Sequence, residues 1–228
     1  LPGQPLIMGP DARNDWLAEG ERQLAYNLAA ELLASLHAVD IGDALSDWEE
    51  PKTAADELEM WREIMAKSRI TPWIETGDEV WESLRDSMPT AVSIGVMHGD
   101  FQTNNVLFDR QSGQLTATGL VDWEIANLGP KELDLAWFLM MNDSEAWDPI
   151  ERRGGIDLSE IVSVYEQSLG KPTTNLQWFW AFACYRIAAI AALNIRLHRT
   201  GRKHDPAWER CSSSVPIMLK RAIALLAS

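Results

Sequence analysis

The sequence predicts an α+β fold, mostly helical, in which a bundle of helices carries one small β-hairpin. Three observations predict it. Apolar residues recur at helical spacing on both sides of the middle of the chain. Between them, residues 92–124 lose that period and show short apolar runs divided by a turn cluster. No internal repeat, low-complexity tract or flexible linker interrupts the 228 residues. One domain is therefore expected over 1–228, with a helical segment at 1–90, a loop and hairpin at 91–124, and a second helical segment at 125–228. The apolar content of 46% is enough for a sizeable core.

Each element has a local reason. Residues 14–38 show a helical period, with Leu24, Leu28, Leu32 and Leu36 at four-residue steps, and these four are expected to face the core. Thr53 reads as the N-cap of a second helix, with Asp56 three residues on as an approximate capping box and Leu58, Trp61, Ile64 and Met65 as its apolar positions. Thr71-Pro72 breaks the pattern, and a third helix is expected over 77–87, stopped by Pro89. Asn105 to Asp109 reads as a short strand, Arg110 to Gly113 as a turn, and Gln114 to Val121 as the return strand. Lys131 to Met141 is helical again. Asp157 or Ser159 caps a helix that ends at Gly170, with Pro172 just beyond. Asn175 opens a long helix to about His198, closed by Gly201, and a last helix runs from Asp205-Pro206 to the C-terminus.

The apolar run Phe179 to Ile195 is interrupted by Arg186 and Asn194. It falls short of the ~20 residues a membrane span needs, so it reads as a buried core helix and no membrane partner is expected. Residues 42–53, rich in Asp, Glu and Pro, read as a mobile loop; they, or residues 143–157, are expected to shape a ligand entrance.

The net charge of -14 argues against nucleic acid, whose binding rests on neutralising phosphates with Lys and Arg. It suits a neutral or cationic ligand better than an anionic one. The eleven Trp read as core packing first, with one or two lining a pocket. Two cysteines, Cys184 and Cys211, do not make a disulfide framework, and a reduced, cytoplasmic setting is expected.

The chemistry concentrates between Met97 and Glu124. Asp100 sits on a short loop, and Asn105 follows five positions later. A hairpin brings its two ends together, so Asn105 at the start of one strand and Asp122 at the end of the other should become neighbours. The Asp100 loop enters the same corner. Three oxygen-bearing side chains then converge, and hard oxygen donors suit Mg²⁺. Such a corner can hold a magnesium-bound phosphate beside a hydroxyl nucleophile. Asn104 competes with Asn105, but strand side chains alternate, so only one of the pair can face the metal.

His98-Gly99-Asp100, then Asn105, then Asp122-Trp123-Glu124, resembles the catalytic and metal motifs of the aminoglycoside phosphotransferase and choline kinase superfamily, a distant relative of the protein kinases. Leu33 to Asp40 resembles the family's helix-ending Leu-His segment, and Leu128 to Ala136 the segment after the metal Asp. Tyr185-Arg186 resembles a late helix in the branch fused to acyl-CoA dehydrogenases. The resemblance runs from about the first residue to roughly position 200.

It implies a kinase-like C-terminal lobe that transfers phosphate from ATP, with Mg²⁺, to a hydroxyl of a small molecule. Asp100 would be the catalytic residue. Asn105 and Asp122 would hold the metal and the nucleotide phosphates, with Glu124 as a further metal candidate. His98 would pack under the loop and hydrogen-bond the backbone near Asp122. Asp134, near a helix start, is expected to accept backbone N–H bonds and fix the loop from Asp122. Arg186 on an apolar helix needs an anionic partner if buried, and Asp134 is one candidate. His37 and His198 at helix ends read as structural.

Kinases of this family begin with a small β-rich lobe that supplies a nucleotide-covering loop, a strand Lys and a helix Glu. No Gly-rich loop precedes position 100, and the first hundred residues read as helices. Leu1 to Leu6 resembles the segment just after the interlobe hinge. The expectation is a C-terminal lobe whose N-terminal β lobe lies upstream, with little activity by itself. Two other readings remain open: a non-catalytic binding or regulatory module, and a metal-dependent phosphohydrolase built on His98, Asp100 and Asp122.

Overall fold

A computed structural model describes residues 2–45, 48–151 and 153–227. One helix organises the molecule. α5 (Lys131–Met140) is buried from Glu132 to Met140, with apolar side chains on every side. Leu133, Ala136, Trp137 and Met140 enter one core, shared with helices α3 (Ala54–Lys67), α4 (Thr71–Asp86), α7 (Leu176–Arg199) and α9 (Ser214–Leu226). Leu135, Phe138 and Leu139 enter a second core, with α1 (Arg22–His37) and α6 (Leu158–Leu169). An all-round apolar helix can be stable only where both sides are covered. Here the two helical layers provide that cover.

The β structure lies against this helix. β3 (Val106–Gln111) and β4 (Gln114–Leu120) form an antiparallel hairpin, and a two-residue β1 (Gln4–Pro5) adds to the β3 edge. The hairpin turns at Ser112 and Gly113, both with positive φ (53° and 85°). That is the twist-matched two-residue turn, and Gly accepts it without strain. A second pair joins β2 (Ile94–Met97) to β5 (Asn127–Pro130). β5 was not expected from the sequence, because Asn-Leu-Gly-Pro carries little strand propensity. The partner strand, rather than its own residues, makes it a strand.

Several boundaries follow the sequence chemistry. Thr53 and Asp56 form a complete capping box at the start of α3. Asp157 caps α6, and Gly170 ends it in the left-handed region at φ 73°. α7 spans 24 residues and is long and apolar enough to cross a membrane by length and composition, yet 78% of its most apolar window is buried inside the protein. It packs as a core helix.

Others differ. α4 begins at Thr71, because Pro72 occupies the first turn, where its missing N–H is no loss. The last helix is split into α8 (Pro206–Arg210), a 3₁₀ turn and α9. Residues 42–53 include a short α2 (Gly42–Leu45); Ser46 and Asp47 of that expected loop lie outside the described residues. Its far end is tied to β5, where the Lys52 N–H donates to Leu128 O and Glu49 accepts from the Leu128 N–H.

The largest correction concerns α1. It starts at Arg22 rather than 14, and Leu24 is 44% exposed. The buried face is Ala25, Tyr26, Ala29, Ala30, Leu33, Ala34 and His37, with Leu28, Leu32 and Leu36 at its margin. Small alanines allow α6 to approach closely, so the narrow side of the helix faces inward. Leu33→Ala is expected to cost about 2–5 kcal/mol, as large-to-small core substitutions do. Leu24→Ala should stay within about 0.5 kcal/mol. Urea denaturation of the two variants checks the assignment, and the reverse order would restore the leucine face.

Candidate active site

The site is built outward from Asp134 in the first turn of α5. Its side chain is fully buried. Oδ2 accepts the His98 N–H at 2.6 Å and Oδ1 accepts the Gly99 N–H at 2.9 Å. Two backbone donors at one carboxylate fix the course of the chain entering Asp100. His37 Nε2 lies 3.5 Å from Oδ2, and His37 Nδ1 lies 2.7 Å from the Tyr165 hydroxyl. A carboxylate only accepts, so the imidazole donates from Nε2, and Nδ1 shares a hydrogen bond with the Tyr165 hydroxyl. α1, α5 and α6 are thereby joined beneath the loop. The sequence reading had Asp134 steadying the chain after Asp122; it holds the chain before Asp100 instead.

Gly99 is required by its surroundings. Its φ is 83°, and a Cβ there would stand 2.6 Å from Ile125 O. The loop and the 122–125 turn therefore touch backbone to backbone. His98 fills the space below, wholly buried. Its Nδ1 accepts the Asp100 N–H at 3.3 Å and its Nε2 donates to Val121 O at 2.9 Å.

The hairpin brings Asn105 to the same corner. Its register pairs Val106 with Leu120, and the Val121 N–H donates to Asn105 O at 2.9 Å. Asn105 closes a 3₁₀ turn (Thr103–Asn105) instead of opening the strand, since its N–H is used by Gln102 O. Its Nδ2 donates to Asp100 O at 2.9 Å and, more weakly, to Asp100 Oδ2 at 3.4 Å. The other arm of the carboxamide is the oxygen, which is left to face elsewhere. Asn104 accepts the Met8 N–H at 3.0 Å and so holds the N-terminal segment.

Asp122 directly follows Val121, whose N–H and C=O bind Asn105 and His98. It adopts φ 69° and is exposed. A non-glycine residue held there is strained and needs tertiary support. Glu124 is also exposed, and among the described residues none in the site bonds to it. Asp100 and Asn105 are thus joined directly, Asp122 follows the residue that bonds Asn105 and His98, and Glu124 sits on the outer rim.

Asp100 carries more bonds than the sequence suggested. Trp137 Nε1 donates to Oδ1 at 2.9 Å, and Gln102 Nε2 donates to Oδ2 at 2.9 Å. Neither residue was singled out from the sequence. The available signal for Trp137 was its place three residues after Asp134, one turn along the same helix face.

Arg186 corrects a second expectation. It is 7% exposed and makes no ion pair with Asp134. Nη2 donates to Gly99 O at 2.9 Å, and the guanidinium lies 4.7 Å from the Trp137 ring centre and 5.1 Å from that of Trp61. Burial lowers its pKa, while the charges of Glu57, Asp134 and Asp100 raise it. The cation is thus held by a carbonyl and two indole faces.

Asp100, Gln102, Trp137 and Arg186 open onto a cavity of about 340 Å³. Its remaining walls are Ile125, Met141, Ile187, Ile190 and Trp208. Among the described residues of 42–53 and 143–157 none supplies a wall; the 122–125 turn, α7 and α8 do so in place of the expected entrance segments. A hollow of about 410 Å³ beside β1 and Trp16 includes none of the three oxygen-bearing residues. The cavity that Asp100 lines is the one joined to the chemistry.

The sequence matches the phosphotransferase enzyme family over residues 3–166. It is 25% identical to the probable acyl-CoA dehydrogenase IBR3 of Arabidopsis thaliana, over 76% of this chain and 24% of that protein. It is 24% identical to acyl-CoA dehydrogenase family member 10 of Mus musculus, over 82% of this chain and 18% of that protein. The chain thus spans about a quarter or less of these curated relatives. Among solved structures, an aminoglycoside phosphotransferase-like protein of Ralstonia eutropha superposes with a TM-score of 0.78 at 20% identity, covering 98% of this chain and 71% of that one. The choline kinase of Cryptosporidium parvum does so with a TM-score of 0.63 at 13% identity, covering 100% and 70%. The mostly helical fold is that of the large lobe of these kinases, and the family match extends over well more than half of the sequence. The chain belongs to the phosphotransferase enzyme family.

Proposed function

We propose that this chain is the catalytic lobe of an ATP- and Mg²⁺-dependent phosphotransferase whose acceptor is a hydroxyl of a small molecule. One observation carries the reading. Asp100 is fixed by side-chain bonds at a cavity wall, and Asn105, which binds it through nitrogen, keeps its oxygen arm for another partner beside Asp122.

In this reading Asp100 accepts or orients the proton of the acceptor hydroxyl. The acceptor oxygen bonds to the γ-phosphorus, the bond from that phosphorus to the bridging oxygen breaks, and ADP leaves. Positioning and electrostatics supply most of the rate in such transfers. Asn105 and Asp122 would hold Mg²⁺, with Glu124 as an additional donor; the ion neutralises phosphate charge when bound. The donor set fits. Among the described residues no three His, Cys, Asp or Glu gather to enclose a metal by themselves. Mg²⁺ is ordinarily held by one or two protein oxygens, with phosphates and waters completing six positions.

The cavity walls bear on the acceptor. They offer one carboxylate, two indoles and one buried cation among apolar side chains. A neutral or singly cationic alcohol fits such a lining better than a polycation, which would need several carboxylates. The chain covers 71% and 70% of the two solved relatives, and the phosphate-binding Lys and nucleotide cover that the family resemblance implies are not assigned to any of its residues. The two free cysteines, Cys184 and Cys211, accord with a reducing, cytoplasmic setting.

The phosphohydrolase reading is weaker, since both ring nitrogens of His98 are already engaged. A non-catalytic binding or regulatory module leaves unexplained why three side-chain donors converge on one partly exposed carboxylate.

In the intact protein, Asp100→Asn is expected to lower kcat on the order of 10²-fold or more. ADP release over a panel of alcohol acceptors measures it, and an undiminished rate would reject Asp100 as the catalytic residue. Asp134→Asn leaves one buried N–H of the loop without an acceptor, at a cost of about 1–3 kcal/mol. Faster hydrogen exchange at the His98 and Gly99 amides is the expected readout; unchanged protection would show that the loop is held otherwise.

A further inference from the structure

The bonds at Asp100 are unequally shared between its two oxygens. Each carboxylate oxygen accepts along two lone-pair directions. Oδ2 takes Gln102 Nε2 at 2.9 Å and Asn105 Nδ2 at 3.4 Å. Among the described residues, Oδ1 takes only the Trp137 indole N–H, at 2.9 Å. One acceptor direction therefore remains, and it belongs to Oδ1.

We propose that Trp137 is a positioning residue that fixes Oδ1 as the atom receiving the proton of the acceptor hydroxyl. This deepens the phosphotransfer reading and rests on it. The indole suits the task because its N–H only donates. It can orient a carboxylate but cannot take the proton itself. Trp137 is 4% exposed and follows Asp134 by one turn of α5, so the helix that pins the loop backbone also aims its side chain. The Arg186 guanidinium lies 4.7 Å from its ring centre, which opposes rotation of the ring.

Turning the carboxylate out of its plane would break the bonds to Trp137 and Gln102 together. The free direction at Oδ1 is thereby held toward the cavity that both Asp100 and Trp137 line. In the transfer the acceptor O–H bond breaks and its proton passes to Oδ1. The acceptor oxygen uses the O–H electron pair to bond the γ-phosphorus, the bond from that phosphorus to the bridging oxygen breaks, and ADP departs with its electron pair.

Two measurements on the intact protein test this. The first is kinetic, with MgATP alone (water as acceptor) and with choline, glycerol and 1-butanol. Trp137→Phe keeps a ring and removes the donor. It should lower kcat by roughly 10- to 100-fold while KM for MgATP stays within about twofold. Gln102→Ala, which spares Oδ1, should lower kcat less. The second does not need turnover. The indole Nε1–H resonance of Trp137, identified by its loss in Trp137→Phe, should move upfield in Asp100→Asn and exchange faster with solvent.

An unmoved indole resonance overturns the proposal. So does a Trp137→Phe enzyme of wild-type kcat, or a larger loss in Gln102→Ala, provided that Asp100→Asn is inactive. If Asp100→Asn retains full turnover, or the wild type shows none, the phosphotransfer reading itself fails, and this proposal with it.

Discussion

The site depends on one buried carboxylate. Asp134 lies at the start of a helix covered on every side and accepts two consecutive backbone N–H groups from the loop that carries Asp100. An ionised acceptor away from water makes strong bonds to such donors, and losing either partner would strand a polar group in the interior. The loop therefore has little freedom to drift. His37 and Tyr165 extend the constraint to α1 and α6. Arg186 closes it from α7 by bonding Gly99 O. Four helices converge on three residues of chain.

The site divides into a rigid side and an open side. Asp100 is surrounded by indole, carboxamide and imidazole groups, the indole and imidazole buried and the Gln102 carboxamide half-buried. Asp122 and Glu124 stand exposed on the turn that follows the hairpin. A proton acceptor must be oriented to a fraction of an ångström before the reaction. In the proposed reading Asp122 and Glu124 would share an ion with a nucleotide that enters from solvent, and their exposure suits that role. The strained backbone at Asp122 is supported by Val121, whose two polar groups are both used by residues of the rigid side.

Much of this corner was legible from sequence because it is local. Asn105 and Asp122 flank one hairpin and Asp100 lies five residues before Asn105, and hairpin geometry follows from turn residues and alternation. The caps at Thr53, Asp157 and Gly170 were legible for the same reason. What escaped depends on distant partners. β5 is a strand because β2 lies beside it. α1 turns its alanines inward because α6 approaches closely, which the size of its leucines concealed. Arg186 finds a carbonyl and two indoles where its charge alone suggested a carboxylate. Trp137 read as one more core aromatic, since nothing in the local pattern shows where an indole N–H will point.

The measurement that bears most directly on the central claim is a crystal structure of the intact protein with Mg²⁺ and a non-hydrolysable ATP analogue. The expected result is an ion bound by the carboxamide oxygen of Asn105 and the carboxylate of Asp122 at about 2.0–2.1 Å, with the γ-phosphate facing Asp100. A nucleotide and metal seated elsewhere, with Asn105 and Asp122 contacting neither, would contradict it.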